Sequence, residues 1–215
     1  MTTTALVHPM DRMYRHQRHI YDLTRKWYLL GRDQMLANLA PRPGDRILEV
    51  GCGTGRNLVV AAALYPQARL HGTDVSAEML TSARQAVTRA GFERRITLAL
   101  ADATQPLTAA FGVPAYERVF ISYALSMIPA WTTVLDLALD ALSPGGELHI
   151  VDFGAQEGLP PPLRKALRAW LRLFDVTPRD GLEDELLIRA EQLNAAVAID
   201  RPYGGYAQHA VVRLP

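Results

Sequence analysis

The stretch RILEVGCGTGRN, residues 46–57, constrains the fold more than any other part of the chain. An apolar, strand-like run (46–51) enters a loop with glycine at positions 51, 53 and 55, and a helical pattern starts at Asn57. Gly51, Gly53 and Gly55 let the backbone turn sharply and approach a ligand closely. Loop and helix start together present N–H groups that no helical carbonyl reaches, which suits a carboxylate or a phosphate. The spacing excludes two neighbours. A dinucleotide loop needs G-x-G-x-x-G, and Arg56 holds the sixth position; a Walker phosphate loop would close on G-K-[ST], which is absent.

Around this loop, short runs rich in Val, Ile and Leu alternate with helical periodicity. Strands are expected at 46–51, 69–74, 96–102, 118–123 and 147–153, with helices at 57–65, 77–90 and 130–142 between them. Such alternation implies a parallel sheet covered by helices on both faces. The chain then changes character. AVAIDR (196–201) and QHAVVRL (208–214) flank PYGGY, a turn-rich connection suited to a hairpin. Five parallel strands closed by an antiparallel hairpin are the expectation.

Acidic residues stand at matching places on this frame. Glu49 precedes the glycine loop, Asp74 ends the second strand and Asp102 the third. Carboxylates at the carboxyl ends of successive parallel strands share the crevice where open α/β sheets bind ligands. An acid after the second strand can accept both hydroxyls of a ribose, and one after the third can accept the amine of adenine.

The formal net charge of +1 provides no general field for nucleic acid. Cys52 is the only cysteine, so no intrachain disulfide forms and a reducing, cytoplasmic setting is expected. It reads as a small filler rather than a nucleophile. No paired His or Cys set suggests a metal: His16 and His19 are three apart without partners elsewhere in the sequence. The N-terminus lacks an apolar stretch of signal-peptide length. The longest uncharged run, 119–135, carries Pro129, two serines and two threonines, and reads as strand, loop and helix start rather than a membrane span.

EVGCGTG (49–55), GTDVS (72–76), AD (101–102) and SPGGELHIVDF (143–153) resemble the class I S-adenosylmethionine (SAM)-dependent methyltransferases. The resemblance implies an α/β Rossmann-like fold: a mostly parallel seven-stranded sheet with a C-terminal antiparallel hairpin and an N-terminal helical lid. It also implies SAM as co-substrate. The glycine loop, with Glu49, Gly51 and Gly53, would hold the methionine moiety and Asp74 the ribose. Asp102 with Ala103 would frame the adenine, Val75 and Met79 its faces, and Ser122 would lie beside them. One domain over 1–215 is expected, comprising a lid (1–40), a SAM-binding core (41–153) and a C-terminal part (154–215).

Methyl transfer from a sulfonium needs alignment and exclusion of water more than acid–base machinery. Specificity is therefore read from the substrate side. SYALSMIP (122–129) lacks the N-P-P-Y or D-P-P-Y pattern common in enzymes acting on amides or aromatic amines. Tyr123 and Ser126 either hydrogen-bond an aliphatic amine or are ordinary loop polar groups. If 13–30 is helical, Met13, His16, Ile20, Leu23, Trp27 and Leu30 form an apolar stripe. Tyr14, Arg18, Tyr21, Arg25, Tyr28 and Arg32 form another, roughly 150° around. Gly31 would interrupt it near Arg32. This second stripe is either a solvated face or a site for a carboxylate and a growing ammonium.

In PPLRKALRAWLRLFD (161–175), Leu163, Leu167, Trp170 and Phe174 fall on one helical face and Arg164, Lys165, Arg168 and Arg172 on another. This suits either packing on the domain or an anionic bilayer surface, and hence peripheral membrane association.

YRHQRHIYDLTRKWYLLGRD (14–33), GCGTGRN, SYALSMIP and RPYGGYA are similar to the betaine-lipid N-methyltransferase family, which trimethylates the homoserine amine of diacylglyceryl-homoserine. The resemblance implies a membrane-resident lipid substrate. It assigns Tyr21, Tyr28 and Tyr123 to catalysis, and Tyr14, Arg25, Arg32, Tyr203 and Tyr206 to the substrate. Replacing Tyr21 or Tyr28 with Ala would depress turnover more than SAM binding. Other head groups, soluble amines, quinones and a non-catalytic SAM-binding module are the competing readings.

Overall fold

The computed structural model describes residues 29–215. Helices α1 (Arg32–Asn38), α2 (Arg56–Leu64), α3 (Ala77–Ala90), α4 (Trp131–Asp140), α5 (Pro161–Arg172) and α6 (Leu182–Leu193) surround one sheet. Its strands are β1 (Arg46–Val50), β2 (Arg69–Asp74), β3 (Ile96–Leu100), β4 (Tyr116–Ser122), β5 (Leu142–Phe153), β6 (Ala196–Asp200) and β7 (Ala207–Arg213). They lie in the order β3-β2-β1-β4-β5-β7-β6.

Neighbours from β3 through β5 pair in parallel, whereas β7 runs antiparallel to both β5 and β6. The hairpin is therefore present, but β7 inserts between β5 and β6. Only β7 is reversed, since two antiparallel pairings return β6 to the direction of β5. The register places Ile47 and Leu48 on opposite faces. Ile47 joins Leu36, Leu58 and Phe120 in one apolar layer, and Leu48 joins Leu135, Leu148 and Leu186 in the other. Burial on both faces is why the central strands read as continuous apolar runs rather than alternating ones.

Local signals set the helix ends. Ser76 caps α3 by accepting from Met79 N (3.3 Å), and Gly91 closes it in the left-handed region (φ 74°). Helix α6 has no counterpart among the elements expected from periodicity. It carries Glu183, Asp184 and Glu185 in its first turn, favourable to the helix dipole, and ends on left-handed Asn194.

Helix α5 sits differently from its sequence wheel. Leu171 is buried, and Leu167 and Phe174 pack against the core, whereas Leu163 and Trp170 are exposed. Arg168 turns toward the body instead of solvent: Nε donates to Gln156 Oε1, Nη2 to Ala155 O, and Nη1 and Nη2 bind the Asp180 carboxylate. A guanidinium that reaches a carbonyl, an amide oxygen and a carboxylate at once sets the rotation of the helix against its hydrophobic periodicity.

Among the described residues, no helix is long and apolar enough to cross a membrane. Most of the expected lid, including Tyr14, Tyr21, Arg25 and Tyr28, lies outside the described residues.

Candidate active site

A cavity of about 890 Å³ opens beyond the carboxyl ends of β1 to β4, where the strand order changes direction. Its floor is the glycine loop. Gly51 is left-handed (φ 72°), and a Cβ there would stand 2.8 Å from the Ala124 methyl, so a side chain is excluded by both conformation and space. Cys52 N donates to Thr73 O (2.8 Å), tying the loop to the end of β2.

Asp74 organises the next wall. Its Oδ2 accepts from Gly53 N (2.8 Å) and its Oδ1 from Ser76 N (2.9 Å), so one carboxylate braces the loop and the start of α3. Val75 and Met79 line the cavity beside it. Asp102 is more exposed; its Oδ1 accepts from both Thr104 N (2.9 Å) and Thr104 Oγ1 (2.8 Å), which orients the carboxylate at the rim.

Glu49 stands behind the loop rather than in the cavity lining. It is buried, Asn57 Nδ2 donates to its Oε1 (2.8 Å), and burial pushes its carboxyl up to about 8. Glu49 Oε2, Thr73 Oγ1 and Ser122 Oγ are buried without a hydrogen-bond partner among the described residues. Thr73 and Ser122 line the cavity. Orphaned polar oxygens around a glycine loop fit a polar ligand carrying donors, and burying them without one is costly. The Cys52 thiol is also buried, and burial together with the Glu49 and Asp74 charges raises it well above its ordinary value, leaving it no thiolate character.

The opposite wall is built from the segment after β4 and the segment after α5. Met127, Ile128 and Pro129 provide apolar surface, and Asp175, Thr177 and Arg179 provide polar groups. Arg179 is the one cation lining this cavity among the described residues. Its Nε donates to Leu125 O (2.9 Å) and its Nη2 to Ile128 O (2.7 Å), and its guanidinium lies 5.9 Å from the centroid of the Trp131 ring. Asp152, at the end of β5, is fully buried and accepts from Ser126 N (3.1 Å) and Phe153 N (2.7 Å). Burial raises its carboxyl to about 6.

Gly51, Gly53, Asp74, Val75, Met79, Asp102, Ala103 and Ser122 thus converge on one cavity. Tyr123 lines it too, but its hydroxyl donates to Leu30 O (2.7 Å) and its ring packs edge-on against Phe153. Three expected substrate residues are not in the lining. Arg32 opens α1, its Nε donating to Leu29 O (3.1 Å). Tyr203 is exposed in the left-handed turn before β7, and Tyr206 packs on Phe153. That turn hydrogen-bonds to the segment after β5: Gly154 N, Gln156 N and Gly158 N each donate to carbonyls of 204–206. Sequence reasoning missed Arg179, whose neighbourhood, VTPRD (176–180), carries no motif.

Strand order, glycine loop and acid-lined cavity are those of the class I SAM-dependent methyltransferase fold. Residues 47–146 match the family model described as a methyltransferase domain. The chain is 33% identical over 109 residues to the aklanonic acid methyltransferase DauC of a Streptomyces species, covering 50% of this chain and 48% of that one. It is 31% identical over 122 residues to the demethylmenaquinone methyltransferase of Symbiobacterium thermophilum, covering 56% and 46%. It is 31% identical over 116 residues to an Azoarcus trans-aconitate 2-methyltransferase, covering 54% and 42%. The chain therefore spans about half the length of the curated relatives it matches. Among solved structures, an O-methyltransferase family protein from Burkholderia thailandensis superposes with a TM-score of 0.73 at 15% identity, covering 94% of this chain and 61% of that one. The plantazolicin methyltransferase BamL, solved with S-adenosylhomocysteine, gives 0.70 at 13% identity, covering 95% and 93%. At these identities the structures speak for the fold alone.

Proposed function

We propose that this chain is a SAM-dependent N-methyltransferase that successively methylates the homoserine amine of diacylglyceryl-homoserine to a trimethylated betaine lipid. The observation that carries the reading is Arg179: a guanidinium in the cavity lining beside the apolar Met127, Ile128 and Pro129, suited to a head-group carboxylate. The resemblance over 14–33 and 122–129 supports it, as does the absence of N-P-P-Y after β4.

In this reading Gly51, Gly53, Asp74 and Asp102 hold the co-substrate, which supplies an electrophilic methyl on a sulfonium. Arg179 meets the substrate carboxylate and orients the amine along the line of transfer. Met127, Ile128 and Pro129 exclude water around the nitrogen, which lowers its pKa and favours the neutral, nucleophilic form. Asp175, on the same rim as Arg179, receives the released proton directly or through water. Tyr123 holds Leu30 against the cavity wall, which puts the end of the N-terminal segment beside the substrate.

A second reading, methylation of a quinone-like lipid, has its own support in the menaquinone relative and in the apolar lining. The test is to incubate the full chain with methyl-labelled SAM and micelles of diacylglyceryl-homoserine, of phosphatidylethanolamine or of a demethylated quinone. Gains of one, two and three methyls on the homoserine lipid alone are expected. Label on the quinone or on phosphatidylethanolamine alone overturns the head-group assignment and leaves the methyltransferase reading standing.

A further inference from the structure

We propose that the outer face of α5 is a docking surface for an anionic lipid bilayer. Leu163 and Leu173 are 54% and 75% exposed, Trp170 is 38% exposed, and Ala166 lies in the same exposed row. At 100° per residue these four positions occupy an arc of roughly 80°. Lys165 and Arg172 are exposed beyond one edge of this arc, and Arg164 is half-buried on the other side. No acidic residue occurs between positions 161 and 174.

This face differs from the one the helical wheel selects, and packing imposes the difference. Leu171 is buried, and Arg168 is tied to Ala155, Gln156 and Asp180, so α5 cannot turn Leu163 and Leu173 inward without breaking both attachments. Apolar side chains beside cations match the two layers of an anionic membrane surface, acyl chains below and phosphates at the level of the Lys and Arg heads. A nucleic-acid backbone would satisfy the cations but leave the leucines without a role, so charge and apolarity together select the bilayer. The helix also lies close to the site. Asp175, three residues after α5 ends, is the first residue of the segment that lines the cavity with Thr177 and Arg179. A bilayer seated on α5 therefore adjoins the cavity rim. The inference deepens the lipid reading of the substrate and rests on it for its purpose, while its test requires no turnover.

The test is co-flotation of the full chain with vesicles of phosphatidylcholine alone or of phosphatidylcholine with phosphatidylglycerol. Binding to the anionic vesicles that weakens with salt is expected. Leu163→Ser with Leu173→Ser should weaken it by roughly tenfold or more, and Lys165→Glu with Arg172→Glu should do likewise. All four side chains are exposed, so melting temperature and activity on detergent-dispersed substrate should persist. Failure of the wild-type chain to float with anionic vesicles would overturn the proposal, even if micellar lipid is methylated. Equal flotation by wild type and both double variants would also overturn it. Self-association in the absence of lipid, abolished by Leu163→Ser with Leu173→Ser, would assign the face to a second copy instead. Flotation without methylation of any lipid would retain the docking surface and reject the substrate reading.

Discussion

The hydroxyl of Tyr123, a buried residue of the cavity lining, donates a 2.7 Å hydrogen bond to the carbonyl of Leu30. A residue at the end of β4 thereby holds the segment that leads into α1. Burial raises its phenol far above the ordinary tyrosine value, which removes it from proton transfer near neutrality. Tyr123→Phe leaves the Leu30 carbonyl unpaired, at a cost of about 1 kcal/mol. The expected result is a melting temperature lower by roughly 2–4 °C, with turnover reduced less than about tenfold. A loss of turnover by orders of magnitude at unchanged melting temperature would instead give the hydroxyl a direct chemical role.

Arg179 separates carboxylated from uncharged substrates. Arg179→Gln should raise KM for the homoserine lipid by about tenfold or more, the scale of a hydrogen bond to a charged group. Arg179→Lys should recover part of that loss, because it retains the charge without the fork. The dissociation constant for SAM, measured by calorimetry, should not move in either variant.

Gly51→Ala tests the floor of the cavity. The new methyl would meet the Ala124 side chain at 2.8 Å, and a left-handed backbone costs an alanine about 1–2 kcal/mol. Loss of SAM binding by about tenfold or more in calorimetry is expected, with the circular dichroism of the sheet and helices retained.

Glu49 makes stability depend on pH. Its carboxyl titrates near 4.5 when unfolded and at about 8 when folded, so the native state holds the proton more tightly. The stabilisation is complete below 4.5 and is lost as pH rises through 8, at about 1.4 kcal/mol for each pH unit between those two values. Asp152, raised from 3.8 to about 6, acts in the same direction over a lower window. Melting temperature should therefore fall from pH 5 to pH 8. Glu49→Gln keeps an oxygen for Asn57 and removes the titration, so it should flatten the upper part of that fall and melt higher than wild type at pH 8.

The helix at 77–90 and the strand at 69–74 are legible to the residue from apolar pattern and periodicity, and in the structure Ser76 as cap and Gly91 as stop fix the helix at the same bounds. The convergence of one cavity wall was legible for a related reason: Gly51, Gly53, Asp74 and Asp102 sit at strand ends, and parallel topology brings strand ends together. Glu49 shows the limit of that reasoning, since its place in EVG predicts proximity to the loop and not its burial behind it.

The sequence by itself determined what repeats along the chain: the alternation of strands and helices from 46 to 153, the parallel sheet, the glycine loop at the end of its first strand, and the acids at the strand ends beside it. These follow from period, glycine spacing and position, all local quantities. The tertiary structure alone decided what depends on contacts distant in sequence. The direction of β6 follows from β7 inserting between it and β5. The rotation of α5 follows from Arg168 reaching Asp180 and the 155–156 loop. The arrival of Arg179 in the cavity follows from carbonyls at Leu125 and Ile128, more than fifty positions earlier in the chain, accepting its hydrogen bonds. A guanidinium satisfies its donors wherever the fold offers carbonyls, and no periodicity in the sequence records where that will be.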